Sequence, residues 1–146
     1  MKKNILKRII LFSCLTLVSM LLSTTLYLVL CGPINISYQN INQIGIVDNT
    51  DSKKFYKVDD SYKNAFIKDA KKIVPHKSLS FENCKCKDAY MIRICYTNNT
   101  WVDYGVYDVT YYDNGQQTSN TRTRQFEKNK KVISLMIDNY YGGSLK

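Results

Sequence analysis

The sequence predicts an α+β chain: an N-terminal transmembrane helix, then a small antiparallel sheet of three to five strands flanked by two helices. Three observations carry this expectation. Residues 9–30 are 22 consecutive positions without a charge, Gly or Pro. Residues 90–124 alternate with period two around an Asn-Gly pair suited to a tight hairpin turn. Segments on both sides of that region repeat apolar residues at helical spacing. The implied layout is 1–8 as a basic cytoplasmic segment, 9–31 as a signal-anchor helix, 32–58 as a tether with a first strand, and 59–146 as a small outer domain.

The opening MKKNILKR places Lys2, Lys3, Lys7 and Arg8 before the apolar run, and no basic residue follows until Lys53. As a helix rising about 1.5 Å per residue the run reaches roughly 33 Å, against a hydrocarbon core of about 30 Å. Its Ser, Thr and Cys groups can bond back to helix carbonyls. The positive-inside rule puts the N-terminus in the cytoplasm and the remainder outside. The expectation is a single-pass cell-membrane protein that meets the bilayer through residues 9–30. Two other fates stay open. A cleaved signal peptide has an apolar core of about 7–15 residues and a small-residue cleavage site, whereas here the core is longer and the first Ala is Ala65. Lipid attachment at Cys31 suits the LVLCG stretch, except that Leu30 stands where a small residue is wanted. With a retained anchor, Cys14 and Cys31 are ordinary apolar residues in or beside the bilayer.

Beyond residue 31 lie 115 residues, enough for one small domain and not for two. The whole chain carries +9, but four of its 21 basic groups precede the span, leaving 17 against 12 acidic groups, a net +5. That excess suits an anionic wall polymer or lipid headgroups, and equally a solvated surface. No basic stripe interleaves with aromatics, so no nucleic-acid partner is expected.

Gly32-Pro33 breaks the first helix. The Asn-, Gln- and Ser-rich stretch after it reads as the tether, and Ile44 and Ile46 alternate as in a strand over 41–47. Asp59, Asp60 and Ser61 start a helix in which Tyr62, Phe66, Ala70 and Ile73 share one side, and Pro75 stops it. In YMIRICY, Tyr90, Ile92, Ile94 and Tyr96 face one way and Met91, Arg93 and Cys95 the other. Asn98-Asn99 turns the chain into a strand over 101–112, and Asn114-Gly115 turns it again. A last helix over 127–140 aligns Val132, Ile133, Met136, Ile137 and Tyr140 before Gly142-Gly143 ends it.

The stretch ENCKCKDAYMIRICY holds three of the five cysteines. Cys84 and Cys86, two apart on an extended segment, stand roughly 7 Å apart, too far for a mutual disulfide. If residues 80–86 and 90–96 form a hairpin, a disulfide from Cys95 to Cys84 or to Cys86 becomes sterically open, and export favours it. Three reduced, small apolar residues are the alternative. With His76 these cysteines match no zinc-ligand spacing, so no metal site is expected. A Cys nucleophile needs a neighbouring base, and the only His follows Pro75 at a helix end. Glu82 and Glu127 are the only Glu, and the ten Asp sit mostly in turns or caps. No phosphate-binding Gly loop or Ser nucleophile elbow occurs, and neither an enzyme nor a cofactor is expected. Asn35-Ile36-Ser37 and Asn98-Asn99-Thr100 match glycosylation sequons, as chance allows in so Asn-rich a chain.

The hairpin strands supply the candidate binding face. An uninterrupted pairing across Asn114-Gly115 sets Tyr111 opposite Thr118, Tyr107 opposite Arg122 and Gly105 opposite Arg124. One face then carries Trp101, Tyr107, Tyr111, Arg122 and Arg124. The other carries Val102, Tyr104, Val106 and Tyr112, with Gln117, Thr121 and Thr123. Burial of the Val/Tyr face is expected because arginines resist desolvation. That leaves Trp, Tyr and Arg, the types enriched at binding hot spots, accessible to a partner. In organisation alone the chain is similar to small anchored envelope proteins, and the partner expected is another envelope protein or an anionic wall polymer. An accessory subunit that associates through its membrane helix, or a secreted or lipid-anchored immunity-type protein, are the alternatives, with a small envelope enzyme ranked below them.

Overall fold

The computed structural model describes residues 2–78, 87–124 and 126–142. It divides into two compact units, Met1–Gly32 and Pro33–Lys146. The first is a single helix, α1 (Lys2–Cys31), apolar on every side. Leu11, Phe12, Leu15 and Met20 along it are more than half exposed. The hydroxyls of Thr16, Ser23 and Thr25 donate to the carbonyls of Ser13, Ser19 and Leu21 at 2.8–3.0 Å, so these groups need no water. The stretch Lys7–Cys31 is long and apolar enough to cross a membrane, a property that signal sequences share.

The second unit is a six-stranded antiparallel sheet with two helices on one face. Its elements run β1 (Ile41–Asp48), β2 (Lys54–Lys57), α2 (Lys63–Ala70), β3 (Tyr90–Tyr96), β4 (Thr100–Tyr104), β5 (Asp108–Asp113), β6 (Gln116–Arg122) and α3 (Glu127–Tyr141). The spatial order is β2-β1-β3-β4-β5-β6, every neighbour antiparallel. The α+β class is as expected, with one strand more than the upper count. β2 accounts for one addition, and the segment read as a single strand over 101–112 is in fact two, β4 and β5.

Alternation assigns the faces. Ile46, Ile92, Tyr104 and Val109 align across β1, β3, β4 and β5, as do Ile44, Ile94, Val102 and Tyr111. Phe66 and Ala70 of α2 and Ile133, Met136 and Ile137 of α3 pack with these rows in one core. Side chains such as Phe66, Ile92, Ile94 and Val102 are wholly buried, each stabilising the domain by about 1.5–3 kcal/mol. α2 opens on an Asx turn, with the Asp59 carboxylate accepting from the amide and hydroxyl of Ser61. It ends in tight turns short of Pro75, through bonds from Lys72 N to Asp69 O and from Ile73 N to Ala70 O. α3 closes at Gly142 in the left-handed conformation (φ 57°). Its last turn is fastened by Tyr140, donating to Asp69, and by Tyr141, donating to the Tyr56 carbonyl.

Residues 33–38, whose composition suggested a tether, lie against the domain. Pro33 bridges to His76, Ile34 N donates to Pro75 O at 2.7 Å, and Ile36 is buried in the core. The Tyr38 and Tyr104 hydroxyls share a hydrogen bond of 2.7 Å. β1 is paired on both sides, with β2 and β3. Gly45 is required there: a Cβ at that position would stand 2.0 Å from the Tyr56 carbonyl oxygen.

Candidate functional site

Which residues reach the face of the sheet that carries no helix is decided by the corner between β4 and β5. Gly105, Val106 and Tyr107 turn the chain, closed by a bond from Gly105 N to Asp108 O. The corner is organised from a distance by Asp88, whose carboxylate accepts from the backbone N–H groups of Val106 (2.8 Å), Tyr107 (2.9 Å) and Asp108 (3.3 Å). Burial pushes the Asp88 carboxyl above its ordinary range, and the three amides pull against it. The carboxylate lies so close that a Cβ on Gly105 would meet its oxygen at 2.4 Å.

Because the chain reverses at this corner, β4 and β5 pair with each other, and Trp101 faces Tyr112 while Val102 faces Tyr111. The expected face therefore divides. Trp101 stays on the helix-free side, but Tyr111 and Tyr107 pack against the core. Tyr112, expected to be buried with Val102 and Tyr104, instead stacks on Trp101, with ring centroids 5.0 Å apart and planes at 15°. A bulge between Tyr111 and Tyr112 shifts the hairpin by one residue. Tyr111 therefore meets Ser119 rather than Thr118, and Asp108, not Tyr107, meets Arg122. Arg122 Nε stands 3.4 Å from Asp108 Oδ1, a partly exposed ion pair on the helix-free side. Gly105 does not reach Arg124, whose amide donates instead to the His76 carbonyl.

The centre of the helix-free face is Arg93. Its Nε and Nη2 each donate to one oxygen of Asp103 at 2.6 Å, a two-pronged pair with side-chain exposures of 16% and 5%. Its guanidinium lies 5.6 Å from the ring of Phe55 and 5.4 Å from that of Trp101. Gly45 stands directly beside Arg93 in the sheet, and Phe55 lies on the next strand, opposite Val47. The result is a ladder across the sheet, Phe55–Arg93–Trp101–Tyr112. Burial alone would lower the guanidinium's pKa, but the Asp103 carboxylate outweighs it and the net shift is upward, so Arg93 stays charged. The Trp101 Nε1–H is buried and finds no acceptor among the described residues. Both faces of Trp101 are occupied, by Arg93 and Tyr112, so its ring is no open platform for stacking a sugar.

Cys95 lies on the same face, half-buried and unbonded, beside Gln43 and Trp101. Burial raises its thiol pKa, the opposite of what activates a nucleophile. Cys84 and Cys86, its expected disulfide partners, lie outside the described residues. Both edges of β3 are taken, by β1 and β4. His76 packs edge-on against Phe126. Among the described residues no three His, Cys, Asp or Glu side chains converge as a metal would require.

Arg93, Asp103, Tyr112 and Phe55 were absent from the expected set. Period two already separated Arg93 from the Ile92/Ile94 side, and Asp103 sits two residues from Trp101. What joins them is the cross-strand register, which is not a local property. No family model matches the chain, and neither a curated protein nor a solved structure matches it.

Proposed function

We propose that the chain is a single-pass membrane-anchored binding module. In this reading α1 is retained as the anchor, its basic N-terminus cytoplasmic, and the Pro33–Lys146 domain stands outside and captures another envelope protein. The observation that carries it is the Phe55–Arg93–Trp101–Tyr112 ladder on the sheet face that the helices leave uncovered. Trp, Tyr and Arg are the residues that concentrate binding energy at protein interfaces, most of all when held rigidly. Here the strands fix the spacing and Asp103 fixes the guanidinium.

The test is site-directed crosslinking in intact membranes. A photocrosslinker at Tyr112 should capture a discrete partner, and the same probe at Leu135, on the outward side of α3, should capture none. Equal capture from both positions, or from Leu135 alone, would remove the ladder as the interface. Orientation has its own measurement: protease added to intact cells should digest the chain beyond Gly32, and a protected domain refutes an outward placement.

A further inference from the structure

A cavity of about 500 Å³ lies away from the ladder, on the helix side of the sheet. α3 forms one wall, and the start of β3 with the β4–β5 corner forms the other. Its volume falls within the about 300–1,000 Å³ range of small-ligand sites. The lining is mainly apolar, with Ile133, Ile137 and Val106 at its base and the half-exposed Tyr90 at its side.

The rim carries charges of both signs. Lys87 stands on the sheet side and Lys130 on the first turn of α3, both exposed, and neither is in an ion pair among the described residues. The two acidic residues of the lining are placed differently. Asp88 spends both oxygens on the three amides of the β4–β5 corner. Asp138 lies eight residues along α3 from Lys130, about 12 Å away at the far end of the groove. The described lining thus combines an apolar trough with two lysines, one on each wall.

We infer that this cavity binds a single-chain anionic amphiphile, its alkyl chain over Ile133, Ile137 and Val106 and its carboxylate between Lys87 and Lys130. Apolar burial supplies the affinity and the two lysines supply orientation and discrimination against neutral or cationic heads. The site is independent of the ladder face, so either can fail without the other.

The experiment uses the full chain in phosphatidylcholine nanodiscs with a diazirine-bearing dodecanoate, adducts being located by mass spectrometry. Adducts are expected on Tyr90, Val106, Ile133 and Ile137, and unlabelled dodecanoate should displace them. Dodecanol and dodecyltrimethylammonium should compete at least tenfold less well. Lys87→Gln with Lys130→Gln should weaken dodecanoate about tenfold with little change in melting temperature, as two exposed charge contacts allow. Ser134→Trp should abolish labelling by filling the groove. The competitor series in the wild-type chain does not depend on any variant folding. Adducts spread over α1 or the ladder, or dodecanol competing as well as dodecanoate, would overturn the inference. So would cavity labelling by a diazirine-bearing phosphatidylglycerol in preference to dodecanoate, which would assign the site to a bilayer lipid.

Discussion

The two faces of the sheet solve the same packing problem by different chemistry. The helix side is packed without an ion pair at its centre, Ile44, Ile46, Ile92, Ile94, Val102 and Tyr104 filling space with Phe66 and Met136. The open side is centred on a buried charge pair and a row of rings, Arg93–Asp103 flanked by Phe55, Trp101 and Tyr112. An aliphatic core tolerates exchange of one apolar shape for another at modest cost. A desolvated ion pair does not tolerate loss of one partner, because the remaining charge is stranded. The open face is therefore the more brittle of the two although it is the less covered. A surface kept only for solubility has no reason to be brittle.

That contrast can be broken most sharply at Arg93. Arg93→Ala should cost about 3–5 kcal/mol in denaturant unfolding at neutral pH, since Asp103 is left buried and unpaired. Arg93→Met with Asp103→Leu should recover most of that loss, and a single-variant cost below about 0.5 kcal/mol would reduce the pair to a solvated surface contact. On the other face, Ile94→Ala should cost about 2–4 kcal/mol, whereas Ile94→Val should stay near 1 kcal/mol. Asp88→Ala should cost about 2–3 kcal/mol by leaving the corner amides without their acceptor, and hydrogen exchange at Val106 and Tyr107 should accelerate with it.

Alkaline pH sharpens the comparison further. Burial raises the Tyr104 phenol well above its ordinary 10.0, raises Tyr38, and pushes Tyr96 up to about 12. These groups keep their protons in the folded chain while the unfolded chain releases them near pH 10, so the folded state holds more protons above that point. Stability should be full below pH 10 and fall as pH rises through 10 toward 12 and beyond. Tyr104→Phe should make that fall shallower, as measured by denaturant unfolding at pH 9 and pH 11. The smallest effect expected is at Asp69, where the Lys72 ammonium and then the Tyr140 hydroxyl lower the carboxyl below 3.8. Tyr140→Phe should cost under about 1 kcal/mol at pH 7, and the difference should vanish as pH falls through the folded value.

Much of the architecture could be read before any coordinates. α3 lies within a residue of its expected span, β3 matches its reading residue for residue, and Asn114-Gly115 turns the hairpin with both φ angles positive, at 46° and 86°. Local chemistry suffices for each: helical spacing, alternation, a turn pair. The corner at residues 105–107 was not legible, because Gly105, Val106 and Tyr107 continue the alternation of their neighbours. Its cause is the Asp88 carboxylate, some 18 residues earlier in the chain. That one reversal moves Tyr112 onto the open face and Tyr111 off it. The bulge then moves Arg122 by one place. Trp101 and Arg122 lie on the helix-free side, but their companions are set by register, and register is fixed by residues from several strands at once.

The position of β1 has a mechanical consequence. It is the first strand of the domain in sequence, yet it lies inside the sheet with a ladder on each side. If the chain is held by its N-terminus while a partner pulls on the ladder face, the load enters at Pro33 and reaches the sheet through β1. Its first residues, Ile41–Ile44, pair with β3 alone, but over Gly45–Asp48 the ladders to β2 and β3 must yield together, so resistance to force is greatest in the second half of the strand.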